Sequence, residues 1–321
     1  MTAADTTLAR RSNQLVRSII IGLLLIDLAW LPFSAIRLNA VSLLVPLVAA
    51  LVLTFVAHLY RERRAEHKLA DGLDCSAQIV GFFAVGALFS YLLASLGFPL
   101  QDSVLYEVDR TLGLDWMAYL KAVNQRPLLG LLFQLAYDSF IPQVLILIVT
   151  LSFTGRGSAA RAMILAMILA GFVTILISGF FPAMAMFVHL NLSPADFPHL
   201  SPSAAFVHVH DMQALRSGAP FDLDLAKAQG IITFPSYHAA LGLLMLLGGL
   251  AHPVLRWPVA AVNLTMIAAT PIDGGHYFVD VGAGLIIAGA CYLLAHRLLQ
   301  PASGDATRFV PVVTTAEVAE S

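Results

Sequence analysis

The stretch Gly274-Gly275-His276-Tyr277-Phe278-Val279-Asp280-Val281-Gly282-Ala283-Gly284 places a histidine and a carboxylate between two apolar runs, 258–272 and 278–299. A second stretch, Phe234-Pro235-Ser236-Tyr237-His238-Ala239-Ala240, opens the apolar run 234–251 in the same way. The apolar surroundings decide the fold. Of 321 residues, 59% are hydrophobic and 12% charged, against about 25% charged in a typical soluble domain. Mean hydropathy is +0.81. The chain therefore reads as all-α, a polytopic integral membrane bundle. Working outward from the two motifs, further runs long enough to cross or nearly cross a bilayer fall at 18–36, 40–60, 76–98, 129–153 and 159–181. That gives about eight transmembrane helices, the one at 258–272 being short.

Basic residues set the expected orientation, because they accumulate on the cytoplasmic side. With the N-terminus inside, the inner segments carry Arg10, Arg11, Arg17, Arg61, Arg63, Arg64, Lys68, Arg156, Arg161, Arg256, Arg297 and Arg308. The outer segments carry Arg37, Arg110, Lys121, Arg126, Arg216 and Lys227. Both termini are then cytoplasmic, while both motifs and the two longest connections, 99–128 and 182–233, lie outside. The basic stretch before 18–36 is signal-like, but the run is long enough to span and lacks a clear small-residue cleavage site, so it reads as a retained anchor. Compact length and short loops lean toward a bacterial inner membrane with a periplasmic active face. Three regions are expected: an N-terminal segment 1–70 with two helices and a basic cytoplasmic loop, a membrane core 71–300, and a polar, disordered cytoplasmic tail 301–321. Segment 99–128 reads as an amphipathic helix lying along the interface, with Leu105, Val108, Leu112 and Trp116 on one face and Asp109, Arg110 and Asp115 elsewhere. A net charge of −2 excludes a nucleic-acid partner, since no basic stripe exists to displace counterions. Cys75 and Cys291 have no metal-type or disulfide-type spacing.

His276 and Asp280 are four residues apart and share one helix face if the helix has begun at His276. The carboxylate can then accept Nδ1–H, fix the tautomer and leave Nε2 outward as a nucleophile. His238, at another helix start, can serve as acid and base from the opposite side. Pro235-Ser236 suits a helix N-terminus, whose amides and dipole attract phosphate, and Gly274-Gly275 lets backbone approach an anion. Phosphoryl transfer is the reaction these parts suit. Any single histidine at a helix start is usually a capped or solvated group. His238, His276 and Asp280 together weigh toward function, because ionisable groups near a membrane core are costly.

Pro235-Ser236-x-His238 followed by His276-Tyr277-x-x-Asp280-Val281 resembles the type-2 phosphatidic-acid phosphatase superfamily over roughly residues 75–300. The form is closest to its phosphotransferase branch of inositol-phosphorylceramide and sphingomyelin synthases. The resemblance implies a six-helix core, no metal or other cofactor, His276 as a nucleophile forming phosphohistidine, Asp280 as its partner and His238 as general acid/base. Phosphate and substrate would be bound by Ser236, Tyr237, Gly274, Gly275, Tyr277, Arg126, Arg216 and Asp138. Two departures matter. The phosphatase branch has a lysine, six residues, then Arg-Pro, where this chain has Lys121, four residues, then Arg126-Pro127. It also has an arginine six residues before the second histidine, where Thr270 stands here. Both alterations favour the transferase branch over phosphatidate phosphatase.

The implied donor is a phospholipid, lipid phosphate or sphingolipid, and the acceptor water or a small polyol or alcohol. A lipid phosphate phosphatase is the alternative within this class. A proton-coupled transporter or flippase would instead use Asp27, Asp138, His238 and Asp280 as an intramembrane relay. A degenerate lipid-binding relative is the third reading. Asp138 divides evenly between a pocket carboxylate and a helix break, Ser236 between phosphate ligand and helix cap, and Asp27 reads as an interhelix hydrogen-bonding group. His189, His199, His208 and His210 with Asp196 and Asp211 lack compact metal-ligand spacing and read as a solvated loop facing substrate.

Overall fold

Apolar side chains can leave water by packing on one another or by facing lipid, and in lipid every backbone N–H must bond within its own helix. The computed structural model describes residues 3–300, and the tail expected at 301–321 lies outside the described residues. Its first eight helices are α1 (Ala3–Trp30), α2 (Ala40–Glu62), α3 (His67–Ala94), α4 (Asp102–Thr111), α5 (Trp116–Asn124), α6 (Pro127–Asp138), α7 (Phe140–Phe153) and α8 (Gly157–Phe180). Three short helices, α9 (Met186–His189), α10 (Ala204–Val207) and α11 (Val209–Arg216), punctuate the long connection. The chain ends in α12 (Tyr237–Gly249), α13 (Arg256–Asp273) and α14 (Phe278–Leu298). The only departure from all-helical structure among the described residues is a parallel pair, β1 (Ile36–Leu38) with β2 (Phe221–Leu223). Its register is Ile36 to Phe221, and it ties the long connection to the α1–α2 link.

Five helices are long and apolar enough to cross a membrane, the spans being Ala9–Phe33, α2, α3, α8 and α14. The pair α6–α7, bent by 55°, makes a sixth if counted as one span. This corrects the expected eight. The apolar run 129–153 is broken at Ser139, and α12 has 13 residues, about 20 Å of helix against about 30 Å of hydrocarbon. The chain is an integral membrane protein of helical-bundle architecture. α3 and α8 form its centre, with Phe82, Val85 and Phe89 packed among Ile164, Met167 and Ile168. α2 leaves Leu44, Val45, Leu51 and Phe55 exposed, the pattern of a lipid-facing helix.

α12 starts inside the bundle instead of at its rim. The Tyr237 hydroxyl donates to the Met167 carbonyl at 3.0 Å, and Met167 lies about 15 Å along α8 from its start. The end of α3 marks the far side, where the Tyr91 hydroxyl donates to Asp211 of the long connection at 2.6 Å. His238 is therefore recessed from the end of the bundle at which α3 terminates.

The opposite end holds buried charge. Asp71 accepts from Arg61 at 3.0 Å and from Arg161 at 2.5 Å. Asp74 accepts from Arg17 at 2.7 Å and from Arg61 at 2.5 Å. Arg61 and Arg161, expected to be topology anchors, are thus ion-paired inside the protein and join α1, α2, α3 and α8. Asp27 lies in α1 fully buried, with neither oxygen bonded among the described residues, so it is no interhelix hydrogen-bonding group here. Removing one partner of a buried pair leaves an uncompensated charge. Arg161→Met is expected to destabilise the protein by about 3–5 kcal/mol, read as a fall in melting temperature in detergent. Lys68→Met, whose side chain is exposed and unpaired among the described residues, should leave it unchanged.

Candidate active site

The two motifs meet because α14 begins against α12. The Ser236 N–H donates to the Asp280 carbonyl at 3.0 Å, a contact that Gly284 permits, since a Cβ there would collide with the Ser236 carbonyl. Asp280 is fully buried in the first turn of α14. Its Oδ2 accepts the Tyr277 N–H at 2.9 Å and the His276 Nδ1–H at 3.3 Å, while Oδ1 has no partner among the described residues. His276 precedes the helix, so the pair forms across the N-terminal turn, with Asp280 closing that turn as well as orienting the ring.

His238, in the first turn of α12, has its Nδ1 3.2 Å from the Tyr137 hydroxyl. Its ring stacks on Tyr137, with centroids 4.3 Å apart, and meets the edge of Phe140. Tyr137 and Phe140 flank the α6–α7 bend, so the broken helix places aromatic groups on both sides of the imidazole. Gly274 joins the two histidine environments. A Cβ there would stand 2.6 Å from His276 Cδ2 and 2.8 Å from the Tyr137 oxygen, so nothing larger than glycine fits between them. Gly275 turns the chain with φ of 66°, and a side chain on it would meet Ala205 and Ala185.

The outer helices clamp this turn. Trp116 of α5 donates its indole N–H to the His276 carbonyl at 3.1 Å, and Met186 N–H donates to the Gly275 carbonyl at 2.8 Å. Asp109 of α4 accepts from Phe278 and Val279 N–H at 2.8 and 2.9 Å, capping the positive end of α14. Asp102 accepts from the Tyr277 hydroxyl and from Met184 N–H. The predicted interfacial helix 99–128 is thus two helices broken at Gly113. Its inward face carries Asp102, Leu105 and Asp109, while Leu112 is 64% exposed. Burial holds Asp109 above the ordinary carboxylate range, although the two amides pull it down.

Several expected substrate ligands have other partners. The Ser236 hydroxyl caps Ala239 N–H at 3.3 Å, and the Tyr237 hydroxyl is bound to α8. Tyr277 is buried on Asp102. Arg126 donates to the Ala122 carbonyl and Arg216 to the Phe98 carbonyl, so neither clamps the histidines. Asp138 ends α6 exposed; its neighbour Tyr137 makes the contact with His238. Among the described residues, no arginine or lysine bonds to His238, His276, Tyr137 or Asp280. The loop histidines do not cluster, and His208 is buried instead of solvated, donating to the Met184 carbonyl at 2.6 Å. Sequence reasoning missed Tyr137, Asp102 and Asp109. Asp102, Leu105 and Asp109, spaced three and four apart, carry a legible one-face pattern.

Burial pushes the His276 imidazole down to about 4, against a smaller opposing pull from the Thr233 carbonyl. His276 is 3% exposed, so at neutral pH it is uncharged with a lone pair available. His208 is lowered too, by burial first, with the Met184 and Ala204 carbonyls opposing.

A family model described as the PAP2 superfamily covers residues 103–294, from α4 into α14 and including both motifs. No curated protein and no solved structure matches the chain.

A histidine with a depressed pKa is folded in its neutral form, so the unfolded chain binds more protons on acidification. The stability contributed by His276 is present above its ordinary value of 6.5 and is lost as pH falls toward 4. Melting temperature should drop over that window, and His276→Gln should flatten the slope; an unchanged slope would place the ring in a more polar setting.

Proposed function

The chain belongs to the PAP2 superfamily, and from that premise we propose that it transfers a phospho-head-group unit from a membrane lipid to a hydroxyl acceptor through a phosphohistidine on His276. Membership in this superfamily points to a lipid phosphatase or phosphotransferase. The observation that carries the finer reading is the His276–Asp280 pair facing His238 across Gly274, enclosed by α4 and α5 and, among the described residues, without an arginine or lysine bonded to it. A phosphodiester carries one negative charge, whereas a phosphate monoester carries close to two at neutral pH. A buried site with no arginine or lysine bonded to its histidines suits the diester. The altered Lys121 and Arg126 spacing agrees with this, since both side chains are exposed.

In the first half-reaction the His276 Nε2 lone pair forms a bond to phosphorus, and the bond from phosphorus to the lipid oxygen breaks. His238, as imidazolium, gives its proton to the departing oxygen, releasing the lipid alcohol. The anionic substrate favours the charged form of His238. Its Nδ1–H donates to the Tyr137 hydroxyl in both states, which leaves Nε2 to give and then take the proton. Asp280 balances the positive phosphoimidazole ring. In the second half, neutral His238 takes the proton of the acceptor hydroxyl, the oxygen bonds to phosphorus and the P–N bond breaks. Enclosure of His276 limits hydrolysis of the intermediate. The donor would be a phospholipid or sphingolipid whose head group stays on phosphorus, an inositolphosphotransferase-like exchange, and the acceptor a small polyol or alcohol. The excess of basic residues in the segments assigned inside supports cytoplasmic termini and a periplasmic site in a bacterial inner membrane. Lipid phosphate hydrolysis is the competing outcome, favoured if water replaces the polyol.

Purified protein in nanodiscs with chelator, offered labelled phospholipids, lipid phosphates and polyols, should yield a new phosphodiester that requires the polyol. His276→Ala should abolish it, together with an acid-labile, base-stable phosphoenzyme; substantial turnover in that variant would overturn the phosphohistidine. Free phosphate formed without an acceptor would make the enzyme a phosphatase. His238→Ala should lower turnover by about 10²–10⁴. Gly274→Ala should cost about 10² by displacing His276 and Tyr137, with the protein still folded by size-exclusion chromatography.

A further inference from the structure

At the end of the bundle opposite the histidines, a cavity of about 490 Å³ opens between the start of α3 and the α7–α8 turn. His67, Lys68, Ser152, Gly157, Ser158 and Arg161 line it. Its volume is that of a small-ligand pocket. Helix α8 begins here without a side-chain cap. The Arg156 carbonyl takes the amides of Ala159 and Ala160, and the first-turn amides of Gly157 and Ser158 have no intrahelical acceptor. Such a helix start attracts anions.

A second observation concerns buried side chains with nothing to bind. Ser152 is 1% exposed, and its hydroxyl has no partner among the described residues. The His67 Nδ1 is likewise buried and unbonded. Both residues line this cavity. A buried hydroxyl without a hydrogen bond costs about 1–3 kcal/mol, a cost that a ligand oxygen would remove.

Charge points the same way. The acids at the cavity are Asp71 and Glu66. Asp71 is neutralised twice, by Arg61 and Arg161, and across the adjoining cluster three arginines meet two aspartates. Glu66 is exposed at the rim, where Lys68 offsets it and makes no ion pair among the described residues. The acids at the cavity are therefore offset, Lys68 and Arg161 against Glu66 and Asp71, and its edge carries amide and hydroxyl donors.

We propose that this cavity is a phosphate-binding site, distinct from the histidine pair, formed by the Gly157 and Ser158 amides, the Ser152 hydroxyl and the Lys68 ammonium. The chemistry recognised is a phosphate oxyanion, whether on a lipid head group in the nearer leaflet or free in solution. The site does not depend on the catalytic reading, because it shares no residue with it.

The test uses the full chain in phosphatidylcholine nanodiscs, with melting temperature followed during titration with inorganic phosphate, and in parallel in nanodiscs containing phosphatidate. Wild type, His276→Ala and the double variant Lys68→Gln with Ser152→Ala are compared. Stabilisation is expected in wild type and in His276→Ala, with apparent affinity about tenfold weaker in the double variant, a factor equal to 1.4 kcal/mol. A response to inorganic phosphate identifies a free-anion site, and a response to phosphatidate alone a head-group site. No stabilisation by either ligand, or equal affinity in the double variant, overturns the proposal. Should the double variant fail to fold, Lys68→Gln alone keeps the comparison. Its exposed side chain has no structural partner, so unchanged affinity there overturns the site equally.

Discussion

The structure of the site depends on one carboxylate. Asp280 closes the first turn of α14 through Tyr277 N–H, orients His276 through Nδ1, and offers its own carbonyl to Ser236 at the start of α12. A single buried residue thereby fixes the position of the nucleophile candidate, the direction of its helix and the distance between the two motifs. Its side chain could not remain in an apolar setting without these donors, since burying an unpaired charge is expensive. The requirement runs in both directions: the turn needs the carboxylate, and the carboxylate needs the turn.

The same economy of polar groups explains the outer helices. α4 and α5 do not merely lie on a membrane surface. Asp109 supplies the acceptor that the first amides of α14 require, Asp102 accepts from the Tyr277 hydroxyl, and Trp116 donates its indole N–H to the His276 carbonyl from the other side. An amphipathic segment is normally read with its apolar stripe inward and its charges outward. Here the inward stripe carries two carboxylates because the surface it covers is the N-terminal end of a helix, where the unbonded groups are donors.

That inversion marks where the sequence was legible. The membrane class, the helical architecture and the proximity of His238, His276 and Asp280 could all be read from composition and from the two motifs, because hydropathy and four-residue spacing are local signals. Span count was not local. Residues 129–153 are continuously apolar, yet the chain bends at Ser139 to set Tyr137 and Phe140 around His238, and nothing in hydropathy registers a bend whose reason lies in another helix. Likewise 234–251 resembles a span but starts at the level of Met167, because Tyr237 finds its acceptor there. Arg61 and Arg161 looked like surface charge until their aspartate partners, ten and ninety residues away in sequence, were placed beside them. Long-range pairing decided each of these.

The distribution of cations bears on which phosphate chemistry the fold can support. Three arginines are committed to Asp71 and Asp74 at one end of the bundle, while Arg126 and Arg216 at the other end are turned to backbone carbonyls. In the proposed reaction, the charge on a phosphate bound near His276 would be met by His238 as a cation and by backbone amides. Those can balance one negative charge more readily than two. A dianionic monoester would require a further cation at the moment of binding, and Asp280, with an unbonded oxygen beside the ring, adds repulsion. A diester donor avoids that penalty, and its transfer to an alcohol regenerates a diester of the same charge. Under the proposed reaction, reactant and product would place equal electrostatic demands on the site, which is the physical argument for proposing head-group exchange over phosphate release.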